Sequence, residues 1–191
     1  MALKLYCDFD GTYADTIQAI CALYNEDFCY YPGFKKINWW EIDTWGFEEL
    51  SLASREYINE YFNQPRFFKV IHAYPYAMQV MMKLHEAGHE ITIVSMGDAP
   101  NLIQKEAWVK KSLPFARFIG CDFAEYKDKS HIDMSDGILM DDSRVNLETS
   151  NAKYKILFGD NYPWNDGWSG LRCFNWFADV PEVIGKLEAN E

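Results

Sequence analysis

The stretch MALKLYCDFDGTYAD, residues 1–15, decides the fold of this chain. Leu3, Leu5 and Cys7 recur at every second position, a spacing that predicts a short buried strand. The pattern stops at residues 8–12, DFDGT, so two carboxylates stand where the chain would leave a sheet. Asp and Gly are common in turns, but ligands bind at the carboxyl ends of strands in open α/β sheets. This stretch alone therefore fits a turn and a ligand site equally well.

Strand-like and helix-like patterns alternate along the rest of the 191 residues. Short apolar runs predict further strands at Glu90–Ser95, Ala116–Gly120, Gly137–Met140, Lys155–Phe158 and Leu171–Phe174. Apolar side chains at helical spacing, bounded by Pro or Gly, predict helices near residues 17–28, 75–87, 100–113 and 181–187. In the third helix, Ile103, Ala107 and Trp108 form the expected apolar side. The alternation predicts an α/β fold with a three-layer, doubly wound parallel sheet.

Residues 34–68 are dense in aromatic side chains and lack the alternation of a strand. Helical spacing runs from about Phe47 to Phe62. We therefore expect a small helical cap, residues 16–72, inserted into an α/β core formed by residues 1–15 and 73–191. Most of the rings are expected to form the core of this cap.

The composition disfavours several classes of partner. The net charge of −11, from 18 basic and 29 acidic residues, opposes binding to nucleic-acid polymers and anionic membranes. No apolar run approaches the roughly 18 residues of a membrane span. The five cysteines show no C-x-x-C spacing, which is typical of reduced thiols. We therefore expect a cytoplasmic protein, in which a small anionic substrate would need a local cation.

The stretch His85-Glu86-Ala87-Gly88-His89 matches the H-E-x-x-H pattern of zinc proteases. That pattern requires both histidines on one face of a helix. Gly88 is typical of the residue that follows the end of a helix, so His89 would lie outside the helix. We therefore expect no zinc site here.

Polar side chains follow three of the predicted strands. They are Asp8 and Asp10, then Ser95, then Asp141 and Asp142, with Lys129 in the loop before the last pair. If these strands are neighbours, four carboxylates converge, and their mutual repulsion disfavours full ionisation unless a cation is present. Ligands that are all oxygen favour Mg²⁺ over zinc. Together, Mg²⁺, a lysine and a hydroxyl donor make a site for a phosphoryl group.

Four motifs in this order resemble those of the haloacid dehalogenase-like phosphatase superfamily. They are DFDGT at residues 8–12, Ser95, Lys129, and Asp141-Asp142. One branch, the 5′(3′)-deoxyribonucleotidases, is also similar at residues 67–77, 108–110, 128–130 and 157–158. The resemblance is strong over residues 1–15 and 67–158 and weak in the aromatic region. It implies a haloacid dehalogenase-like Rossmannoid core carrying an inserted cap.

The resemblance implies a role for each matched residue in the core. Asp8 matches the nucleophile, which forms an aspartyl-phosphate, and Asp10 matches the general acid and base. Ser95 and Lys129 match the groups that hold the phosphate oxygens.

The same resemblance implies a magnesium site. Asp8, the backbone carbonyl of Asp10, and Asp142 match the Mg²⁺ ligands, with Asp141 just outside them.

In the cap, the resemblance places Phe62 and Phe47 where the branch has aromatic side chains that contact the substrate. Two positions depart from the branch. Met96-Gly97 replaces the Ser-Pro of its animal members, which removes one phosphate donor, and Thr16 replaces an aromatic residue near the base. These departures leave phosphatase chemistry intact and open the question of nucleoside preference.

The expected function is Mg²⁺-dependent hydrolysis of a small-molecule (deoxy)nucleoside 5′-monophosphate, by a protein that could form a homodimer. One alternative is a phosphatase of the same superfamily acting on a sugar phosphate or another small metabolite. Another is a non-catalytic metal-binding module whose cap binds a protein partner. The intact pair Asp8 and Asp10 disfavours the last alternative.

Overall fold

The computed structural model describes residues 2–47 and 49–189. Six strands form one sheet in the order β3-β2-β1-β4-β5-β6, with every neighbouring pair parallel. The strands are β1 Lys4–Asp8, β2 Glu90–Gly97, β3 Arg117–Asp122, β4 Gly137–Asp141, β5 Tyr154–Phe158 and β6 Leu171–Cys173. The predicted strands and the α/β fold class are therefore confirmed.

Helices cover both faces of this sheet. They are α1 Thr16–Phe28, α2 Arg55–Glu60, α3 Phe67–Val70, α4 Ala77–Glu86, α5 Ala99–Ser112, α6 Arg144–Thr149 and α7 Asp179–Glu188. Short 3₁₀ helices occupy Trp39–Glu41, Tyr61–Asn63 and Pro163–Asn165. The two faces of the sheet pack into separate cores. Met140 of β4 packs into the larger one, and its neighbour Leu139 packs with Leu147 of α6 in the smaller one.

The strand β1 lies at the centre of the sheet, between β2 and β4. Its register places Asp8 opposite Val94 of β2 and Cys7 opposite Met140 of β4. Asp8 therefore lies at the same edge of the sheet as Ser95 and Asp141, the residues that come next on its two neighbours. The expected convergence of three strand ends is confirmed.

Residues 16–72 leave and rejoin the α/β core at one point, which we call the neck. Ala14 pairs with Ala73, Asp15 donates its backbone N–H to the carbonyl of His72 at 2.9 Å, and Tyr74 donates to the carbonyl of Tyr13 at 2.9 Å. Between these ends the described residues form only helices, turns and irregular chain. The division into a core and a cap remains our assignment.

The helix expected from Phe47 to Phe62 is much shorter in the structure. Phe47 has a φ of +54°, which a right-handed helix does not accommodate. The helix α2 instead begins after Ser54, whose hydroxyl accepts a hydrogen bond from the Tyr57 backbone N–H at 3.3 Å. It ends at Glu60, where the chain tightens into the 3₁₀ turn of residues 61–63.

The two histidines of the H-E-x-x-H stretch serve as packing residues. The helix α4 ends at Glu86, and Gly88 follows with a φ of +98°. His89 lies outside the helix, where its Nδ1 accepts a hydrogen bond from the Leu3 backbone N–H at 3.1 Å. His85 stacks on Phe115 instead, with ring centroids 4.3 Å apart. The expectation that this stretch holds no zinc is consistent with these contacts.

Within the part of the chain described here, none of the helices is long and apolar enough to cross a membrane. All five cysteines are free, and only Cys29 is exposed.

Candidate active site

Lys129 joins two of the predicted carboxylates beneath the end of β1. Its side chain is fully buried, and its Nζ donates to an oxygen of Asp8 and to Oδ2 of Asp141, the latter at 2.5 Å. Burial would lower the pKa of this lysine, but the two carboxylates outweigh burial and raise it. Lys129 is therefore a permanent cation in the interior.

Asp141 and Asp142 are fixed by different neighbours. Asp141 accepts hydrogen bonds from the backbone N–H of Ser143 at 2.8 Å and from the side-chain amide of Asn146 at 3.2 Å. Asp142 accepts a hydrogen bond from the indole N–H of Trp164 at 2.9 Å. The Gly11 of the DFDGT motif allows this arrangement, because a Cβ at that position would lie 2.6 Å from Oδ2 of Asp142.

Asp8, Asp141 and Asp142 form a cluster that could hold a cation. Each offers an oxygen atom within 4.8 Å of the others, and all three side chains are buried. Burial raises the pKa of Asp8 to about 7, although Lys129 opposes this rise. Burial, followed by the charges of Asp8 and Asp141, also raises the pKa of Asp142. Full ionisation of the cluster would place more negative charge in this buried site than Lys129 can neutralise, so it requires a cation, and without one the raised pKa values favour proton uptake.

Asp10 lies beside this cluster, and both of its oxygens are held. The Thr16 hydroxyl donates to Oδ1 at 2.9 Å, and the Ser95 hydroxyl approaches Oδ2 at 3.3 Å. Lys105, a residue not anticipated from the sequence, also donates its Nζ to Oδ2 of Asp10. The same Nζ lies 2.9 Å from Ser95 Oγ and 3.0 Å from the Met96 carbonyl oxygen. Asp10 thus has a fixed orientation.

A cavity of about 630 Å³ opens above these carboxylates. Asp8, Asp10 and Asp142 line its floor, and Trp45, Asn59, Phe62 and Asn63 of residues 16–72 line one wall. The rest of the lining comes from residues 96–98, Asn101, Lys105, Phe123, Lys127, Ser143, Val145 and Asn146. Carboxylates and an aromatic wall therefore face the same space.

The predicted site residues fall into three groups by position. Asp8, Asp10, Asp142 and Phe62 line the cavity. The others lie behind it: Thr16 and Ser95 hydrogen-bond Asp10, Lys129 hydrogen-bonds Asp8, and Asp141 accepts from Lys129. Phe47 is 1% exposed, packs in the larger core and does not line the cavity.

Lys105 was missed because the buried side of α5 was predicted from Ile103, Ala107 and Trp108, of which only Trp108 packs against the core. The helix buries Asn101, Leu102, Lys105 and Val109, whereas Ile103 is 69% exposed. The spacing of Leu102, Lys105 and Val109 is helical, so a lysine in an otherwise apolar stripe was the available signal. Trp164 lies in a short 3₁₀ turn between β5 and β6 and offered no such signal.

Structural comparison finds the same fold in several solved proteins. A predicted phosphatase from Clostridium acetobutylicum superimposes with a TM-score of 0.64 at 14% identity, covering 99% of each chain. A haloacid dehalogenase family hydrolase from Deinococcus radiodurans, with bound phosphate and sodium, also gives 0.64 at 14% identity, over 98% of this chain and 96% of that one. CbbY from Rhodobacter sphaeroides, in complex with phosphate, gives a TM-score of 0.56 at 16% identity, covering 90% of this chain and 93% of that one.

Sequence comparison identifies the family. No curated protein sequence matches the chain significantly. The family model described as 5′ nucleotidase, deoxy (pyrimidine), cytosolic type C protein matches residues 2–190, almost the whole chain. The chain belongs to this family of haloacid dehalogenase-like phosphatases.

Proposed function

We propose that this protein is a Mg²⁺-dependent phosphatase that hydrolyses (deoxy)nucleoside 5′-monophosphates through an aspartyl-phosphate on Asp8. The observation that carries the proposal is the shared cavity. Its floor presents Asp8, Asp10 and Asp142, and its wall presents the rings of Trp45 and Phe62. A phosphate and an aromatic base at the two ends of one small molecule fit this combination.

Charge and ligand chemistry support Mg²⁺ as the cation. With all four ionised, Asp8, Asp10, Asp141 and Asp142 would set four negative charges against the ammonium groups of Lys105 and Lys129, a formal charge of −2. A divalent cation would balance this charge, and the clustered donors are all oxygen, as Mg²⁺ prefers. Asp8, Asp142 and the backbone carbonyl of Asp10 would hold it, with Asp141 supporting the first two. When bound, Mg²⁺ would neutralise the phosphate oxygens and so favour attack by an anion.

In the first step, a carboxylate oxygen of Asp8 attacks phosphorus and the bond from phosphorus to the 5′ oxygen breaks. Asp10 donates a proton to that oxygen, and the nucleoside leaves. In the second step, Asp10 takes a proton from water while the water oxygen attacks phosphorus. Inorganic phosphate leaves and the Asp8 carboxylate is regenerated.

The residues behind the cavity serve these two aspartates. Lys129 donates to Asp8 and Asp141, and its charge opposes the rise that burial causes in the pKa of the nucleophile. Lys105, Ser95 and Thr16 hold Asp10 for proton transfer. Direct contact of Ser95 and Lys129 with phosphate remains a prediction.

The wall of the cavity would recognise the base. Trp45 and Phe62 are neighbours, with ring centroids 6.4 Å apart and planes tilted by 49°. Stacking of a base on an aromatic side chain is worth about 1–3 kcal/mol in single-stranded nucleic-acid binders. We therefore assign the stacking contacts to Phe62 and Trp45, in preference to Phe47.

We also place the protein in the cytoplasm, where its free cysteines would stay reduced.

A substrate panel tests this function. Purified protein with Mg²⁺ would be given 5′- and 3′-monophosphates of the common nucleosides and deoxynucleosides, together with glucose 6-phosphate, phosphoglycolate and p-nitrophenyl phosphate. We expect kcat/KM for at least one nucleotide to exceed that for every sugar phosphate by about fivefold or more, which corresponds to the lower end of the stacking energy. A sugar phosphate as the best substrate would overturn the nucleotidase assignment and support the alternative phosphatase.

A further inference from the structure

Trp164 touches both a carboxylate of the candidate metal cluster and a ring of the cavity wall. It lies in the 3₁₀ turn of residues 163–165, between β5 and β6. Asn165 makes this turn rigid. Its buried side chain accepts from the backbone N–H of Tyr162 at 3.1 Å and donates to the carbonyl of Asp160 at 3.0 Å.

On one side, Trp164 fixes the carboxylate of Asp142. The indole N–H can only donate, and it donates to Oδ2 at 2.9 Å. The same oxygen faces Gly11, where even a methyl group would clash. These two neighbours restrict the rotation of the carboxylate and thereby fix the orientation of its oxygen atoms toward a cation.

On the other side, the Trp164 ring is part of an aromatic stack. It stacks on Tyr162 with centroids 4.3 Å apart and planes within 4°, and it contacts Trp45 with centroids 5.2 Å apart. Trp45 in turn contacts Phe62, and these two rings line the cavity. A ligand that presses on the cavity wall therefore acts on a ring that is one side chain away from Asp142.

We propose that Trp164 is a positioning residue that orients Asp142 for the cation and couples the cap wall of the cavity to the metal site. This inference rests on the proposed function, because it takes Mg²⁺ as the cation. Hydrogen-bond partners of metal ligands typically change metal affinity by about 10- to 100-fold when they are lost. Since linkage is reciprocal, a molecule that tightens the wall would also tighten Mg²⁺ binding.

The first test is the Trp164→Phe variant of the full chain, titrated with Mg²⁺ by isothermal titration calorimetry. Phenylalanine keeps a ring between Tyr162 and Trp45 but removes the N–H donor. We expect the Kd for Mg²⁺ to rise about 10- to 100-fold. Trp168→Phe is the matched control. It also removes an indole N–H donor, but that donor binds the carbonyl of Leu171 at 2.9 Å and no carboxylate of the cluster. We expect its Kd to stay at that of the unaltered protein.

Equal Mg²⁺ affinities for the Trp164→Phe, Trp168→Phe and unaltered proteins would overturn the positioning role alone. Failure of the unaltered protein to bind Mg²⁺ would overturn both this inference and the metal dependence of the proposed function. The two failures are therefore distinguishable in one set of titrations.

The second test concerns the coupling to the cap. Trp45→Ala removes the ring that packs on Trp164 without touching a carboxylate, and we expect it to weaken Mg²⁺ binding by about threefold or more. In a Trp164→Phe background the same change should have a much smaller effect. Trp40→Ala is the control, since Trp40 is a cap tryptophan that is 65% exposed and contacts Trp39. An unchanged Mg²⁺ affinity in Trp45→Ala, or full additivity with Trp164→Phe, would overturn the coupling.

Discussion

The carboxylate edge of the sheet and the inserted residues 16–72 face the same cavity but are built differently. At the edge, Asp8 and Asp141 are the last residues of paired parallel strands, so the backbone ladder fixes their spacing. In the insertion after α1, the longest helix has six residues, and the shape depends on ring packing such as that of Phe62 on Phe67. The edge is specified by backbone hydrogen bonds and the wall by side-chain packing.

This difference separates chemistry from recognition. A change at the edge alters groups that would touch every phosphate ester, whereas a change in the wall alters only contacts with the part of the ester beyond the phosphate. Variants at the edge should therefore damage all substrates equally, and variants in the wall should discriminate among them. The following experiments test whether edge and wall variants differ in this way.

The largest effect is expected from Asp8→Asn. The amide has nearly the same size but lacks the charge that attacks phosphorus, so turnover of every substrate should fall by about 10³-fold or more. Phosphate release measures the loss, and circular dichroism with a thermal melt checks that the fold is kept. Activity within tenfold of the unaltered protein would exclude Asp8 as the nucleophile.

The second-largest effect is expected from removal of the cation: chelation should lower activity on the order of 10²-fold. Its effect on stability should depend on pH. The folded pKa of Asp8, about 7, lies above the ordinary 3.8, so without metal the folded state holds an extra proton between these values. Stability of the metal-free protein should therefore fall as pH rises through this window.

Because Mg²⁺ would replace that proton, the gap in Tm between the Mg²⁺-loaded and chelated proteins should widen from pH 5 to pH 7 and then level off. Differential scanning calorimetry at several pH values would measure it. A gap that is the same at pH 5 and pH 8 would contradict the assignment of the cluster to a cation.

Phe62→Ala should distinguish the wall from the edge. We expect kcat/KM for nucleoside monophosphates to fall by about 10- to 100-fold, with much less change for p-nitrophenyl phosphate. Phe67→Ala is a useful comparison, because Phe67 packs against Phe62 but is fully buried and does not line the cavity. Equal losses on both substrates in Phe62→Ala would assign this ring to the core of the insertion.

The smallest effect concerns the stability of the insertion itself. Arg66 forms a two-pronged ion pair with Asp27, which also accepts a hydrogen bond from the Tyr61 hydroxyl at 3.0 Å. The pair lowers the pKa of Asp27, so its contribution is complete above the ordinary pKa and is lost as pH falls through the folded value. Asp27→Asn should destabilise the protein by about 1 kcal/mol at pH 7, because the pair is partly exposed.

Urea unfolding at pH 7 and at pH 3 would test this prediction, with the difference between Asp27→Asn and the unaltered protein shrinking at the lower pH. A difference that is independent of pH would show that packing, and not charge, accounts for the effect.

The sequence predicted the edge well because the relevant information is local. Each strand of the sheet is a short apolar run, and Asp8 and Asp141 follow such runs directly. Parallel pairing then brings the ends together without further information. Lys129 was a candidate from its place in the loop before β4, and the family resemblance supplied its role at the site.

The wall could not be predicted in the same way. Aromatic spacing suggested one long helix, but the φ of +54° at Phe47 and the cap at Ser54 divide the segment. Which ring faces the cavity depends on packing between distant segments, as the contact of Trp45 with Trp164 illustrates. Lys105 was missed for a related reason, since a lysine on a helix is usually exposed unless it meets a buried carboxylate.

The neck at Ala14 and Ala73 has a consequence for how this protein could change over generations. Because residues 16–72 depart and return at one point, a change of length within them does not by itself shift the pairing of β1 with its neighbours. The part that packs in the same core as the strands, such as Ile20 and Phe67, is constrained, whereas exposed stretches such as Tyr30 and Tyr31 are free to take insertions and deletions. The substrate range could then change while the reaction is conserved, so selection could act on substrate range and on phosphate chemistry independently.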